Sequence, residues 1–298
     1  MFLRYCKDDT KKGSYCTIQI EYPTYKIKLL NKRRLGFYLK NISSIFDIRI
    51  SKKGKLFAMK THAYNPHVSV DCVLIGFNGE SLKVLLTEQS ETPNNKKGSG
   101  MKLPGRPIFD DEDLDEAAHK VLLEITGMND PYLKQFKTFG APDRTSNPDD
   151  LSWLEETTQV KMGRIVTIGY MSVIRITNKM NMNFQNHKVT WCPVQELPRL
   201  AFDHKNIIEE AIREIRRTSK LYPAILFELL PAKFTALELR RLYEVIYDKE
   251  MDVRNFHKKI TAMPYVIALE EKQTNVAHRA ARYYRFDKKT YNKLYGQY

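Results

Sequence analysis

Hydrophobic and polar positions are most clearly patterned in the middle of the chain. Residues 68–77 form an apolar run that predicts a buried strand, and residues 82–87 predict the strand that returns beside it. Asn78-Gly79 between them is typical of a hairpin turn. Further apolar runs predict strands at 164–176 and 188–192.

Two segments of this region have helical spacing instead. The first apolar stripe ends at Gly127, a residue suited to the left-handed position that follows a helix. The second stripe follows Asp203, which we expect to cap its helix. The stripes are Leu114, Ala117, Ala118, Val121, Leu122 and Ile125, and then Ile207, Ile208, Ala211, Ile212 and Ile215. Strands interleaved with helices predict a mixed α/β domain over residues 59–220.

Residues 221–298 have a different pattern. Thr235-Ala-Leu-Glu238 is a capping box that predicts the start of a helix. After a short break, Asp252 is a second cap and precedes a basic helix over 253–263. Two strand-like runs follow, at 265–269 and 281–286. A helix, a turn, a basic helix and a hairpin predict a winged helix-turn-helix domain.

Residues 1–58 lack both patterns. They contain short strand-like runs at 17–21 and 25–30, broken by basic clusters, and carry 14 Lys and Arg against four Asp and Glu. Three interpretations stay open: a basic arm that contacts DNA, a weakly ordered tail, or sequence upstream of a natural start at Met59. We expect the chain from residue 59 onward to fold without this extension.

Composition narrows the class of protein. The chain has 298 residues with a net charge of +14, and no apolar stretch is long enough to span a membrane. No apolar segment typical of a secretory signal opens the sequence. The four cysteines are too far apart for a zinc pattern and too few for a disulfide scaffold, so we expect a cytoplasmic protein. Basic residues outnumber acidic ones by five in residues 221–298, which favours a nucleic-acid partner.

The segment 103–127 resembles a Nudix box, and the order of motifs from about residue 64 to 286 resembles the Nudix-related transcriptional regulators, including their sugar-sensing members. The motifs that carry the resemblance are 139–144, 197–204, 229–235, 242–247, 252–256 and 281–286. The resemblance implies an α/β/α sandwich with a mixed sheet, followed by a winged helix-turn-helix. It also implies a homodimer that binds a double-stranded DNA operator and senses a small-molecule effector, which is a sugar, a sugar derivative or a nucleotide sugar.

The chain departs from the Nudix box where the family binds magnesium. Counted back from Gly127, the positions of the three helix glutamates hold Val121, Glu124 and Ile125, and Arg106 stands in place of the second loop glycine. One carboxylate is a poor magnesium site. Asp110, Asp111 and Glu112 are further candidates, although acidic residues before a helix usually stabilise its dipole.

We therefore expect no hydrolysis, no catalytic residue, no cofactor and no metal site. Two alternatives stay open. One is an active Nudix hydrolase of ADP-ribose-like substrates with a DNA-binding appendage. The other is a metabolite-binding protein whose basic C-terminal part has another role.

The segment 139–144 is the candidate effector site. Asp143 has acceptors for sugar hydroxyls, Arg144 has a forked donor for hydroxyl or phosphate oxygens, and Phe139 offers a ring face. Asp71, a carboxylate in an apolar strand, is a further candidate. The alternatives are a turn in which Asp143 and Arg144 pair locally and a structural role for Asp71. If the segment is a surface loop, Arg144→Ala should weaken effector binding with little loss of stability.

The basic helix is the candidate DNA-reading element. Arg254 and Asn255 have the side chains best suited to bidentate contacts with guanine and adenine, and Lys258 and Lys259 suit phosphates. His257 lies on the same polar side, and Phe256 and Ile260 are expected to anchor the helix. Arg279 in the hairpin loop is a candidate wing contact. The alternative is a basic helix exposed only to solvent.

Overall fold

The computed structural model describes residues 63–92, 100–127, 132–176, 189–274 and 280–296, and in addition the backbone of five short strands before residue 63. It divides into two compact units, Met1–Ala63 and Tyr64–Tyr298. The first unit contains an antiparallel three-stranded sheet and a separate pair of antiparallel strands. Two of its strands coincide with the predicted strand-like runs. The five strands are β1 (Phe2–Lys7), β2 (Cys16–Glu21), β3 (Lys26–Leu29), β4 (Ile48–Ile50) and β5 (Leu56–Ala58).

The second unit is built on a mixed seven-stranded sheet. Five strands follow the order β10-β11-β6-β7-β12, while β8 pairs with β7 and β9 pairs with β6. The pair β11 and β6 is parallel and the other pairs are antiparallel. The strands are β6 (Tyr64–Phe77), β7 (Leu82–Glu88), β8 (Met101–Lys102), β9 (Gly105–Phe109), β10 (Lys134–Phe139), β11 (Val166–Arg175) and β12 (Val189–Pro193). The predicted hairpin is present, with Gly79 at φ 98° in its turn.

Successive side chains of β6 point alternately to the two faces of this sheet, and a different helix packs on each face. Val70, Cys72 and Leu74 pack with the helix α1 (Leu114–Thr126) on one face. Val73 and Ile75 belong to the core that the long helix α3 (His204–Leu221) covers. Because successive side chains on a strand point to opposite faces, a single apolar run supplies both cores. The α/β/α sandwich is confirmed.

The helix ends follow local chemistry, with one exception. Asp113 accepts from the backbone of Asp115 at the start of α1, and Gly127 ends α1 at φ 65°. The helix α2 (Pro148–Thr158), absent from our sequence prediction, begins at Asn147 with proline in its first turn. The exception is Asp203. It precedes α3 as predicted, but its side chain makes no capping hydrogen bond, because it is bound to an arginine described below.

The C-terminal part is a winged helix. The capping box of Thr235 and Glu238 is present, and Asp252 caps the second helix through the backbone of Asn255. Glu244 accepts from the backbone of Met251 and so fixes the turn between the two helices. The elements are α4 (Ala224–Phe227), β13 (Phe234–Thr235), α5 (Ala236–Tyr247), α6 (Val253–Thr261), β14 (Val266–Lys272), β15 (Arg282–Phe286) and α7 (Lys288–Tyr295), with sheet order β13-β15-β14.

The sandwich and the winged helix share one hydrophobic core. Ile215 of the helix α3 lies in the same buried cluster as Leu242 and Phe256. Aromatic side chains from α4, β15 and α7 extend this cluster. None of the described helices is both long and apolar enough to cross a membrane.

Candidate functional site

A narrow cleft opens on the α3 side of the sheet. Its floor is β6 and β9, and its walls are α2 and the start of α3. The residues that line it are Ser69, Asp71, Lys102, Gly105, Arg106, Pro107, Arg144, Thr145, Trp153, Leu154, Ile165, Phe202 and His204. Arg106 lies opposite Val70 in the β6–β9 ladder, and its side chain binds Glu112 on the α1 side of the sheet.

Asp71 is the centre of the polar contacts in this cleft. Its Oδ2 accepts a hydrogen bond of 2.8 Å from Thr167 Oγ1 and lies 3.7 Å from the Arg144 guanidinium. Its Oδ1 lies 3.5 Å from His204 Nε2. The carboxylate also requires Gly105 beside it, because a Cβ at that residue would lie 2.2 Å from Asp71 Oδ1 and 2.5 Å from the Val70 carbonyl.

Arg144 is buried rather than exposed on a loop. It is 7% exposed and donates to both carboxylate oxygens of Asp203, at 3.0 and 3.4 Å, and to the carbonyl of Ile165. It thereby links the loop before α2, strand β6 and the first residue before α3. The expectation of an easily replaced surface arginine is corrected, since a buried charge between two carboxylates cannot be removed without cost.

Burial changes the proton affinity of two basic groups in the cleft. Burial lowers the pKa of His204, although Asp71 opposes the shift, and the Leu103 N–H donates to its Nδ1 at 3.0 Å. The ring is therefore neutral with its proton on Nε2, facing Asp71. Burial also lowers the pKa of Lys102, whose ammonium donates to the carbonyls of Leu103 and Gly105.

Two aromatic rings form the apolar walls. Trp153 on α2 donates its indole N–H to the Ser90 carbonyl, and the Lys102 ammonium lies 5.8 Å from its ring. Phe202 lies just before α3, in a left-handed conformation at φ 51°, and its N–H donates to Asp150 on α2 at 2.9 Å. These walls were missed from the sequence, although Asn147-Pro148 followed by two aspartates was a signal for α2.

The structure does not bring Asp143 or Phe139 to the cleft. Asp143 is exposed, and its carbonyl closes a turn by accepting from the Ser146 N–H. Phe139 is a core residue, packed edge-to-face on Phe136 and against Gly169. Of the four candidate ligand residues, the structure brings only Asp71 and Arg144 together.

The three positions of the Nudix-box glutamates differ in their surroundings. Val121 and Ile125 are 3% and 8% exposed and pack into the core under β6, while Glu124 is exposed. No group of three acidic, histidine or cysteine side chains is placed to hold a metal among the residues that the structure describes. Magnesium requires several hard oxygen ligands in octahedral geometry, so the residues present do not fit that ion.

Glu112 is engaged elsewhere. It forms a bidentate pair with Arg106 at 2.8 Å and also binds Lys120 at 3.1 Å. Burial alone would raise the pKa of the Glu112 carboxyl, but hydrogen bonds from Arg106, the Phe109 N–H and Lys120 lower it to about 2. Glu112 therefore fixes the loop before α1.

A second candidate site is the exposed face of α6. Phe256 and Ile260 are buried as predicted, and Phe256 packs against Tyr243 of α5 with ring centroids 5.5 Å apart. Arg254 and Asn255 are exposed in the first turn after the Asp252 cap. The helix therefore presents its most base-specific side chains at its N-terminal end, where recognition helices contact the major groove.

The basic residues of α6 differ in their surroundings. His257, Lys258 and Lys259 are all exposed, but the Lys259 ammonium lies 4.1 Å from the centroid of the Tyr243 ring, and partial burial lowers its pKa. Lys258 is therefore better placed than Lys259 for a phosphate contact. The prediction for Arg279 lies outside the described residues.

The fold is that of an α/β domain with a cleft, joined to a winged helix of the kind that reads DNA. Comparison with known families agrees: the NUDIX domain matches residues 65–211, and the NrtR DNA-binding winged helix domain matches residues 226–286. The chain belongs to the Nudix-related transcriptional regulators. It is a DNA-binding regulator of transcription.

Individual relatives align with about three quarters of this chain. The chain is 27% identical over 233 residues to the ADPR responsive transcriptional repressor NtrR of Acinetobacter baylyi, covering 76% of this chain and 85% of that protein. It is 28% identical to Shewanella oneidensis NrtR complexed with a 27mer DNA, with a TM-score of 0.56 and coverage of 74% and 93%. A further structure of Shewanella oneidensis NrtR is 26% identical, with a TM-score of 0.56 and coverage of 78% and 97%.

Proposed function

We propose that this protein is a transcriptional repressor whose Nudix domain binds ADP-ribose without hydrolysing it, and that binding changes its affinity for operator DNA. The observation that carries the proposal is the cleft, which is lined by the cationic side chains of Arg144 and Lys102 and by the aromatic side chains of Trp153 and Phe202. A relative that is 27% identical responds to ADPR, which supports the same effector here. Of the sugar and nucleotide-sugar effectors that the resemblance implies, this relative favours a nucleotide sugar.

The chemistry of the cleft suits each part of that ligand. Cationic side chains complement a diphosphate, and an arginine fork binds phosphate oxygens in a bidentate manner. The Trp153 and Phe202 rings provide faces on which a base stacks. Asp71 accepts from sugar hydroxyls. A free pentose would leave the cationic groups and the aromatic walls unused, so it should bind more weakly.

Binding should be selective for the intact nucleotide sugar. We expect ADP-ribose at 100 times its dissociation constant to stabilise the protein by about 2.7 kcal/mol, because it binds only the folded state. Thermal-shift measurements with ADP-ribose, AMP, ribose 5-phosphate and arabinose provide the comparison. Each fragment should shift the melting temperature less than ADP-ribose at equal concentration. A larger shift with arabinose would favour a sugar sensor instead.

Hydrolysis should be absent. Val121 and Ile125 occupy two positions at which the Nudix box has glutamates. We therefore expect that the protein releases no AMP or ribose 5-phosphate from ADP-ribose above the rate measured without protein. The measurement is chromatography of the products after incubation with magnesium and with manganese. Turnover that disappears in Glu124→Gln would establish the alternative, an active hydrolase with a DNA-binding appendage.

Dimerisation stays a prediction from the resemblance.

A further inference from the structure

The segment between the cleft and α3 combines two unusual features. Phe202 has a left-handed backbone, which is unfavourable for a residue with a Cβ atom, and its ring lines the cleft. Its N–H is held by Asp150 of α2. The next residue, Asp203, lies at the N-cap position of α3, yet its side chain makes no capping hydrogen bond.

The side chain of Asp203 is instead bound by Arg144. Arg144 Nη2 donates to Asp203 Oδ1 at 3.0 Å and Arg144 Nε donates to Oδ2 at 3.4 Å. An aspartate at this position normally accepts from backbone N–H groups in the first turn, where the helix dipole also favours a negative charge. The same carboxylate therefore has two mutually exclusive partners, the arginine of the cleft and the end of its own helix.

The other end of α3 contacts the DNA-reading half. Arg216 donates to the carbonyl of Ile246, and the Ser219 hydroxyl hydrogen-bonds with the Tyr247 hydroxyl at 2.9 Å. Ile246 and Tyr247 are the last residues of α5, directly before the turn into α6. A helix of 18 residues, about 27 Å long, thus connects the cleft to the helix pair that reads DNA.

We propose that Arg144 exchanges Asp203 for the diphosphate of the effector, and that the released Asp203 then caps α3. The exchange rests on the proposed function, because it requires a diphosphate in the cleft. A bound diphosphate attracts the Arg144 fork and repels the Asp203 carboxylate, so both forces favour the same rearrangement. The effector then stabilises one arrangement of the first turn of α3 over the other, and α3 transmits the difference to α5 and α6.

Asp203→Asn separates the two roles of this residue. Asparagine caps helices about as well as aspartate, but it lacks the charge that holds Arg144. Without ADP-ribose, the variant should bind operator DNA with the affinity that the wild type has when saturated with ADP-ribose, to within about twofold. Saturating ADP-ribose should then change its operator affinity by less than about twofold. Glu209→Gln is the matched control, because it removes an exposed carboxylate from the same helix and should respond to ADP-ribose as the wild type does.

The experiment measures operator affinity by fluorescence anisotropy, with and without ADP-ribose, and ADP-ribose affinity by calorimetry. Asp203→Ser, which also caps helices without a charge, repeats the test if Asp203→Asn does not fold. A wild-type response in the folded Asp203 variant would overturn the exchange while leaving the proposed function intact. Wild-type protein that binds no ADP-ribose would overturn the proposed function and the exchange with it.

Discussion

Replacing Arg144 with alanine should lower the free energy of unfolding by about 3–5 kcal/mol. The change leaves Asp203 without its charged partner and removes the cation nearest to Asp71. The pair is shielded from solvent, since Arg144 is only 7% exposed. Removing one partner of a buried ion pair costs this much because the remaining charge has lost both its water and its counterion. The measurement is urea denaturation followed by circular dichroism.

Arg164→Ala is the matched control for this prediction. Arg164 is exposed and donates a single hydrogen bond to the carbonyl of Gly140, so its loss should cost no more than about 1 kcal/mol. A loss of under 1 kcal/mol for Arg144→Ala as well would mean that solvent reaches the pair freely. Because a destabilised protein also binds ligand less well, Arg144→Lys is the better variant for measuring effector affinity.

Replacing Arg254 with alanine should weaken operator binding by about 1–3 kcal/mol per half-site and relax discrimination at one base position. Arg254 is exposed in the first turn of α6, on a helix that Phe256 and Ile260 fix to the core. A guanidinium fork at that position suits the two acceptors of guanine. The measurement is titration of operator and scrambled DNA at several salt concentrations.

Lys258→Ala is the comparison that separates loss of a phosphate contact from loss of the base contact expected for Arg254. A phosphate contact contributes to all sequences, so this change should weaken operator and scrambled DNA by the same factor and lower the salt slope by about one. Lys259→Ala should have a smaller effect on the slope, because the Lys259 ammonium lies over the Tyr243 ring. Equal losses on both DNAs for Arg254→Ala would show that α6 binds only through charge.

Most of the fold could be predicted because its signals are local. The capping box at Thr235, the cap at Asp252 and the apolar stripe of α1 each specify an element within a few residues. The helices α2 and α7 were missed. Their apolar stripes are short, with Trp153 and Leu154 as the buried residues of α2 and Tyr291 as that of α7, so periodicity alone does not reveal them.

The candidate site was predictable only in part. Asp71 and Arg144 were identified by chemistry, since a carboxylate in an apolar strand and an arginine in a turn both need partners. Asp203, the partner to which Arg144 donates, lies 59 residues from it along the chain. Asp203 also had a complete local explanation as a helix cap. Lys102, Trp153 and Phe202 enter the cleft only through the packing of α2 and α3 on the sheet, which local sequence does not encode.

The core shared by the two halves has a consequence for protein engineering. Ile215 of α3, Leu242 of α5 and Phe256 of α6 lie in one continuous apolar cluster with strands of the sheet. A chimera that joins this DNA-reading half to an unrelated sensor by a flexible linker would expose the α3-facing side of that cluster to water. A graft that preserves the packing of α3 on the DNA-reading half must begin upstream of His204 and include all of α3. The new sensor domain must then be redesigned to pack against this helix.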